Sequence, residues 1–165
     1  MIINLRELAT KEAPVEFRSS FDFSDLVSNR NDIRLGKPVQ AQVTAQAASG
    51  LVTVDGQLDA ELHLICSKCL KHYEERVAYP VLELFTQQAD VAERDEEIHL
   101  IHEERVNLTP YLSDTFVVHL PYAPSCDAAC KGLCPVCGTD RNSSVCTCEQ
   151  DKVDPRLAGL KDFFK

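Results

Sequence analysis

Val39-Gln-Ala-Gln-Val-Thr-Ala-Gln-Ala47, Val52-Thr-Val54 and Leu58-Asp-Ala-Glu-Leu-His-Leu64 place an apolar residue at every second position. Period-two patterning puts one face of a strand on a core and the other in water, so these segments read as half-buried antiparallel strands. Ser49-Gly50 and Gly56 punctuate them and are taken as turns, giving three strands in succession. Residues 70–85 continue the pattern through Val77, Tyr79 and Val81 into Leu82-Glu-Leu-Phe85. Pro80 has no N–H for a ladder and argues for a sheet edge or a bulge at that point.

Working outward, Ile2-Ile3-Asn4-Leu5 forms a short strand, and Phe21 to Leu26 forms a strand running into a turn. A helix over 24–30 is disfavoured by Asn29 and Asn31. Residues 86–97 read as an exposed acidic loop and 98–101 as a short strand. Thr109-Pro110 opens a helix with Thr109 as cap and Pro110 at its first position. Leu112, Thr115, Phe116, His119 and Leu120 share its apolar face, and Pro121 ends it. Residues 154–164 form a short amphipathic helix capped by Asp154, with Leu157, Leu160 and Phe164 on one side. The fold class is α+β, mainly β: a twisted antiparallel sheet or partly open barrel with short helices and a C-terminal zinc-knuckle segment. The division expected is a β domain over 1–121 and a cysteine-rich zinc-binding segment over 122–165, packed on the first.

Eight cysteines punctuate this scaffold: Cys66, Cys69, Cys126, Cys130, Cys134, Cys137, Cys146 and Cys148. Cys66-Ser-Lys-Cys69 falls at the reversal between two strands, where a hairpin tip aims both sulfurs the same way. Cys134-Pro-Val-Cys137-Gly138 is a second knuckle, and Cys146 and Cys148 are close enough to complete a tetrahedral set with it. The remaining four, Cys66, Cys69, Cys126 and Cys130, form the second set if two sites exist. The segment 122–153 carries few large apolar side chains, so metal must hold it folded. The start of the chain lacks a secretory pattern, and reduced thiols in a cytoplasm favour metal over disulfides. Iron–sulfur ligation is the rival reading; the Cys130-x3-Cys134-x2-Cys137 spacing matches radical S-adenosylmethionine enzymes, yet the residues after it leave no room for their barrel. Saturated four-cysteine sets leave no open coordination position, which makes a structural role for Zn2+ the expectation.

The formal net charge is −9, with seven acids against two bases in residues 86–105. Each four-thiolate site holding a divalent ion adds a further −2. Nucleic-acid binding runs on phosphate neutralisation, so contact with RNA would need a local patch, and the overall charge suits a basic protein partner. Lys68 and Lys71 beside one knuckle and Lys131 and Arg141 beside the other are the RNA-binding candidates; their plainer role is to offset thiolate charge. No apolar run reaches membrane-spanning length. His63, His72, His99, His102 and His119 read as surface or strand-face residues, and no nucleophile–base–acid constellation or phosphate-cradling glycine loop is present.

Taken together, the Cys66-Ser-Lys-Cys69-Leu70 hairpin, Leu120-Pro121-Tyr-Ala-Pro124, Cys130-Lys-Gly-Leu-Cys134-Pro-Val-Cys137-Gly138 and Asp154-Pro155-Arg156-Leu157-Ala-Gly-Leu160-Lys161 resemble the YceD family of large ribosomal RNA subunit accumulation proteins, in the Gram-positive form with additional C-terminal cysteines. The resemblance spans most of residues 38–165. It implies a bacterial cytoplasmic protein that is not an enzyme and supports accumulation of large-subunit (23S) ribosomal RNA, by binding that RNA, a basic large-subunit ribosomal protein, or both. It implies no small-molecule substrate and supplies no catalytic residue. The alternative is a zinc- or iron–sulfur-dependent RNA-processing or redox protein.

Overall fold

The computed structural model describes residues 1–11 and 13–148; the helix expected over 154–164 lies outside them. Eight strands and three short helices follow in the order β1 (Ile2–Asn4), α1 (Leu5–Ala9), β2 (Val15–Phe21), β3 (Ile33–Leu35), β4 (Val39–Ala48), β5 (Leu51–Ile65), β6 (His72–Thr86), α2 (Ala89–Ala92), β7 (Ile98–Leu100), β8 (Arg105–Asn107) and α3 (Thr109–His119). An open, twisted sheet runs β2-β4-β5-β6-β7, with β3 beside the distal end of β5; β1 and β8 form a separate pair. Among the described residues the path does not close into a barrel.

The alternation does what the period predicts. Val39, Ala41, Val43 and Ala45 of β4 and Val52, Val54, Leu58, Ala60, Leu62 and Leu64 of β5 are all buried on one face. That face is covered by α1, which contributes Leu5 and Leu8, by Ile3 and Val106 of the small pair, and by Leu112 and Phe116 of α3. Phe116 sits against Phe23 and Tyr79, with ring centroids 5.5 Å and 6.2 Å away. Ser49 and Gly50, with φ of 50° and 80°, make the two-residue turn between β4 and β5, both residues in the left-handed region that such hairpins require.

Gly56 corrects the expected turn. It lies inside a fifteen-residue strand, opposite Val43 on one side and Val81 on the other. The apolar parity of 52, 54, 58 and 60 runs through it unbroken, which a turn would not allow. Its role is close approach: a Cβ there would stand 2.2 Å from the Gln42 carbonyl oxygen and 2.6 Å from Val43 Cα. Both obstacles are backbone, so no side chain can swing away. Gly56→Ala is therefore expected to cost about 2–3 kcal/mol, the upper range of overpacking. It should lower the urea midpoint at unchanged m-value, and a midpoint equal to wild type would contradict this account of the glycine.

Other expectations also shift. The strand over 98–101 is present, but β7 runs parallel to β6, with Leu84 opposite Ile98. The acidic loop contains one helical turn, α2, which buries Val91. Residues Ser24–Val27 form a 3₁₀ turn, started by Asp22 accepting from the Ser24 N–H and hydroxyl and closed by burying Val27. Thr109 is the first residue of α3 and not its cap: Asn107 Oδ1 accepts from its N–H, and its hydroxyl accepts from the Met1 amine. Pro80 sits on β6 where, among the described residues, only β5 pairs with it. Cys66 N donates to the Lys71 carbonyl at 2.9 Å. Antiparallel alternation then places Pro80 in the set facing away from β5, where a missing N–H costs no ladder bond. Thr86, of the same parity, shows this directly by accepting from Ile101 N.

Candidate metal centres

The long β5–β6 hairpin carries its tip, residues 66–71, away from the body of the sheet. Cys66 N donates to Lys71 O and Leu70 N to Cys66 O, both at 2.9 Å. This tight loop puts two sulfurs on one side. The other pair arrives from the chain after α3. Arg30 fixes that arrival: its guanidinium grips Asp32 through two 2.7 Å bonds and donates to the carbonyls of Pro121 and Tyr122. Pro124 O then accepts from Ser67 N at the tip. An Asp127 turn, with Ala129 N donating to Asp127 Oδ1 and Cys130 N to Asp127 O, brings Cys130 round beside Cys126.

The outcome is four sulfurs, of Cys66, Cys69, Cys126 and Cys130, all within 4.8 Å of one another. Cys66 lies 3.9 Å from Cys130 and Cys69 lies 3.5 Å from Cys126. A tetrahedron of thiolates at the usual zinc–sulfur bond length has edges of about 3.8 Å. Cys66, Cys69 and Cys130 are buried. Cys134, Cys137, Cys146 and Cys148 make the second group, with Cys146 at 3.4 Å from Cys134 and 3.5 Å from Cys137. This group is more open, Cys137 being exposed. Two groups of four cysteines could thus each hold a metal ion, and they divide as the spacing led us to expect. Among the described residues no histidine joins either group.

The donor chemistry fits a soft or borderline divalent ion. Val136 N donates to Cys134 Sγ, Cys148 N to Cys146 Sγ and the Asn142 amide to Cys130 Sγ, each at 3.4 Å, which is how outer-shell donors orient thiolate ligands. Burial opposes a Cys66 thiolate, but the backbone N–H groups of Cys126, Cys69 and Lys68 outweigh it and draw the thiol down to about 5. In the second group the Thr139 hydroxyl and N–H bring Cys137 down to about 6. The Cys69 sulfur and then burial push Cys126 up to about 12, and the Cys146 and Cys137 sulfurs do the same to Cys148. Each group therefore combines sulfurs drawn toward ionisation (Cys66 in one, Cys134 and Cys137 in the other) with sulfurs that hold their protons until a cation replaces them (Cys69 and Cys126, Cys146 and Cys148).

The two knuckles share one backbone plan. Leu70 N to Cys66 O is matched by Gly138 N to Cys134 O, and Cys66 N to Lys71 O by Cys134 N to Thr139 O. They are also fastened together. Leu133 N donates to Lys68 O at 2.9 Å, and Gly132, at φ 70°, passes so near that a Cβ would stand 2.8 Å from that same oxygen. Asn142 accepts from Lys131 N while its amide reaches Cys130. Asn142, Gly132 and Arg30 are the supporting residues that cysteine spacing did not disclose. Gly132 between two ligands was the one legible hint.

Of the basic candidates, Lys68 and Lys71 stand exposed on the hairpin tip and Lys131 stands exposed on the strand of chain that crosses it. Arg141 is half-buried, its N–H donating to Gly132 O. The fold thus gathers all four at one end of the molecule. Lys71 reaches Asp140 at 3.9 Å; among the described residues the other three form no ion pair.

Several known proteins are similar in sequence to this chain. YlbN of Bacillus subtilis (strain 168) is 26% identical, covering 91% of this chain and 88% of its own length. Rv2926c of Mycobacterium tuberculosis (strain H37Rv) is 28% identical over 78% of this chain, which spans 63% of that protein. The chloroplastic large ribosomal RNA subunit accumulation protein YCED homolog 1 of Arabidopsis thaliana is 26% identical over 77% of this chain and half of its own. No solved structure matches. The family profile of the large ribosomal RNA subunit accumulation protein YceD matches residues 54–164, from near the start of β5 through both cysteine groups. The chain belongs to the YceD family.

Proposed function

We propose that this protein is a non-enzymatic factor in large-subunit ribosome biogenesis whose zinc-stapled end contacts ribosomal RNA. The family supports a role in ribosome biogenesis; the RNA contact rests on one observation. Lys68, Lys71, Lys131 and Arg141 come from distant stretches of chain and converge at the end of the molecule that carries both cysteine groups. On a chain of formal charge −9, a patch of this kind is what phosphate contact would need. Zn2+ in both groups would supply no chemistry beyond fixing the ligands, since four thiolates leave it no open position. Among the described residues, no helix is long and apolar enough to cross a membrane. The acidic 86–97 segment then repels RNA from other approaches.

The test is recovery of tagged protein from growing cells with and without RNase. Large-subunit RNA is expected to co-purify, and accompanying ribosomal proteins should be lost on RNase treatment. A ribosomal protein retained after RNase, with no ribosomal RNA enriched, would replace this reading with a protein partner.

A further inference from the structure

Leu70 has no local reason to be leucine. The shared plan of the two knuckles puts the fifth residue in the left-handed region: Gly138 at φ 74° and Leu70 at φ 60°. Glycine takes that conformation freely, whereas any L side chain pays for it, a branched aliphatic one included. Burial does not compensate, because Leu70 is 61% exposed. It contributes nothing to the inner sulfur group beyond its backbone N–H, which glycine would supply equally well. A side chain kept exposed in a costly left-handed backbone conformation, at the tip of the β5–β6 hairpin, points to a use outside the fold.

The surroundings indicate what is contacted. Lys68 and Lys71 flank Leu70 in sequence, both exposed, and Lys131 lies on the segment bonded to Lys68. Three of the four inner sulfurs beneath the tip, those of Cys66, Cys69 and Cys130, are buried, so a group approaching the tip meets ammonium ions before it meets their thiolate charge. An apolar pocket on a protein would need an acidic rim to suit this arrangement. Unpaired RNA supplies both halves at once: phosphates for the lysines and an unstacked base face for the leucine. A duplex hides its base faces and offers only the phosphates. We infer that Leu70 is a nucleobase contact, and that the tip selects unpaired over duplex RNA. This rests on the RNA-binding reading above and names the substrate class of that site.

The experiment uses zinc-loaded full-length protein, a fluorescent unstructured 12-nucleotide RNA and a 12-base-pair RNA duplex. Leu70→Gly removes the side chain and relieves the backbone, so zinc content is expected to hold and Tm not to fall. Affinity for the single strand should drop about tenfold, the scale of burying a leucine side chain against an apolar face, while affinity for the duplex and both salt slopes stay at wild-type values. Equal single-strand binding by Leu70→Gly and wild type would overturn the inference and leave the RNA reading intact. Wild-type protein that binds neither RNA would sink the RNA reading itself. Loss of a ribosomal-protein contact in Leu70→Gly, with single-strand affinity unchanged, would assign the leucine to a protein groove and likewise overturn it.

Discussion

Replacing Cys66 with serine is expected to strip both metal ions from the protein, whereas replacing Cys137 with serine removes only one. The asymmetry follows from how the two groups are built. The inner group joins the hairpin tip to the chain beyond α3, and Cys66, Cys69 and Cys130 are buried within it. The outer group draws all its ligands from residues 134–148 and rests on the inner one, through Leu133 N to Lys68 O and the Asn142 amide to Cys130 Sγ. Loss of the inner ion frees the tip and the 122–133 segment, removing the platform on which Cys134 is held. Loss of the outer ion leaves the inner ligands, Arg30 and the Pro124–Ser67 bond in place. A structural zinc site is worth on the order of 10 kcal/mol of apparent binding energy, so Cys66→Ser should also lower Tm far more than Cys137→Ser. Zinc per chain by mass spectrometry reads the result directly: about two for wild type, one for Cys137→Ser and less than one for Cys66→Ser. Retention of a full equivalent by Cys66→Ser would show that the outer group stands alone. A brown chromophore in purified protein would replace zinc with an iron–sulfur cluster.

The sheet was largely legible because its signal is local. Alternation in β4 and β5 depends only on which residues must leave water, and it marked the extended segments and their buried face, though not that 51–65 is one strand. Gly56 misled because glycine serves turns and close backbone approach equally well; the unbroken parity across it was the better guide. The parallel pairing of β7 left no trace in Ile98-His-Leu100, since three residues show no direction. Thr109 next to Pro110 imitates a cap, but Asn107 two residues earlier supplies the hydrogen bond instead. At the candidate metal centres, spacing alone paired Cys134 with Cys137 and Cys146 with Cys148, and elimination left the inner four. The coupling between the groups was not legible, because it runs through a backbone carbonyl of Lys68 and an Asn142 amide. Leu70 was equally silent: its φ is visible only once the knuckle is folded.

Reversing the charge of the tip should abolish RNA binding without unfolding the protein. Lys68, Lys71 and Lys131 are exposed, and among the described residues their one ion pair is Lys71 with the half-buried Asp140 at 3.9 Å, so Lys68→Glu, Lys71→Glu and Lys131→Glu together are expected to keep the fold and the zinc content at a modest cost in Tm. Each cation lost from a phosphate contact removes roughly one unit from the slope of log affinity against log salt, and each new carboxylate adds repulsion. The most direct measurement is therefore a salt titration of binding to an unstructured fragment of large-subunit ribosomal RNA, wild type against the triple variant, both zinc-loaded. At about 0.1 M salt the variant should bind at least a hundredfold more weakly, with a slope shallower by about two to three. Equal affinity and equal slope in a folded, zinc-loaded variant would contradict the account, because the metal-held end would then not be where RNA binds.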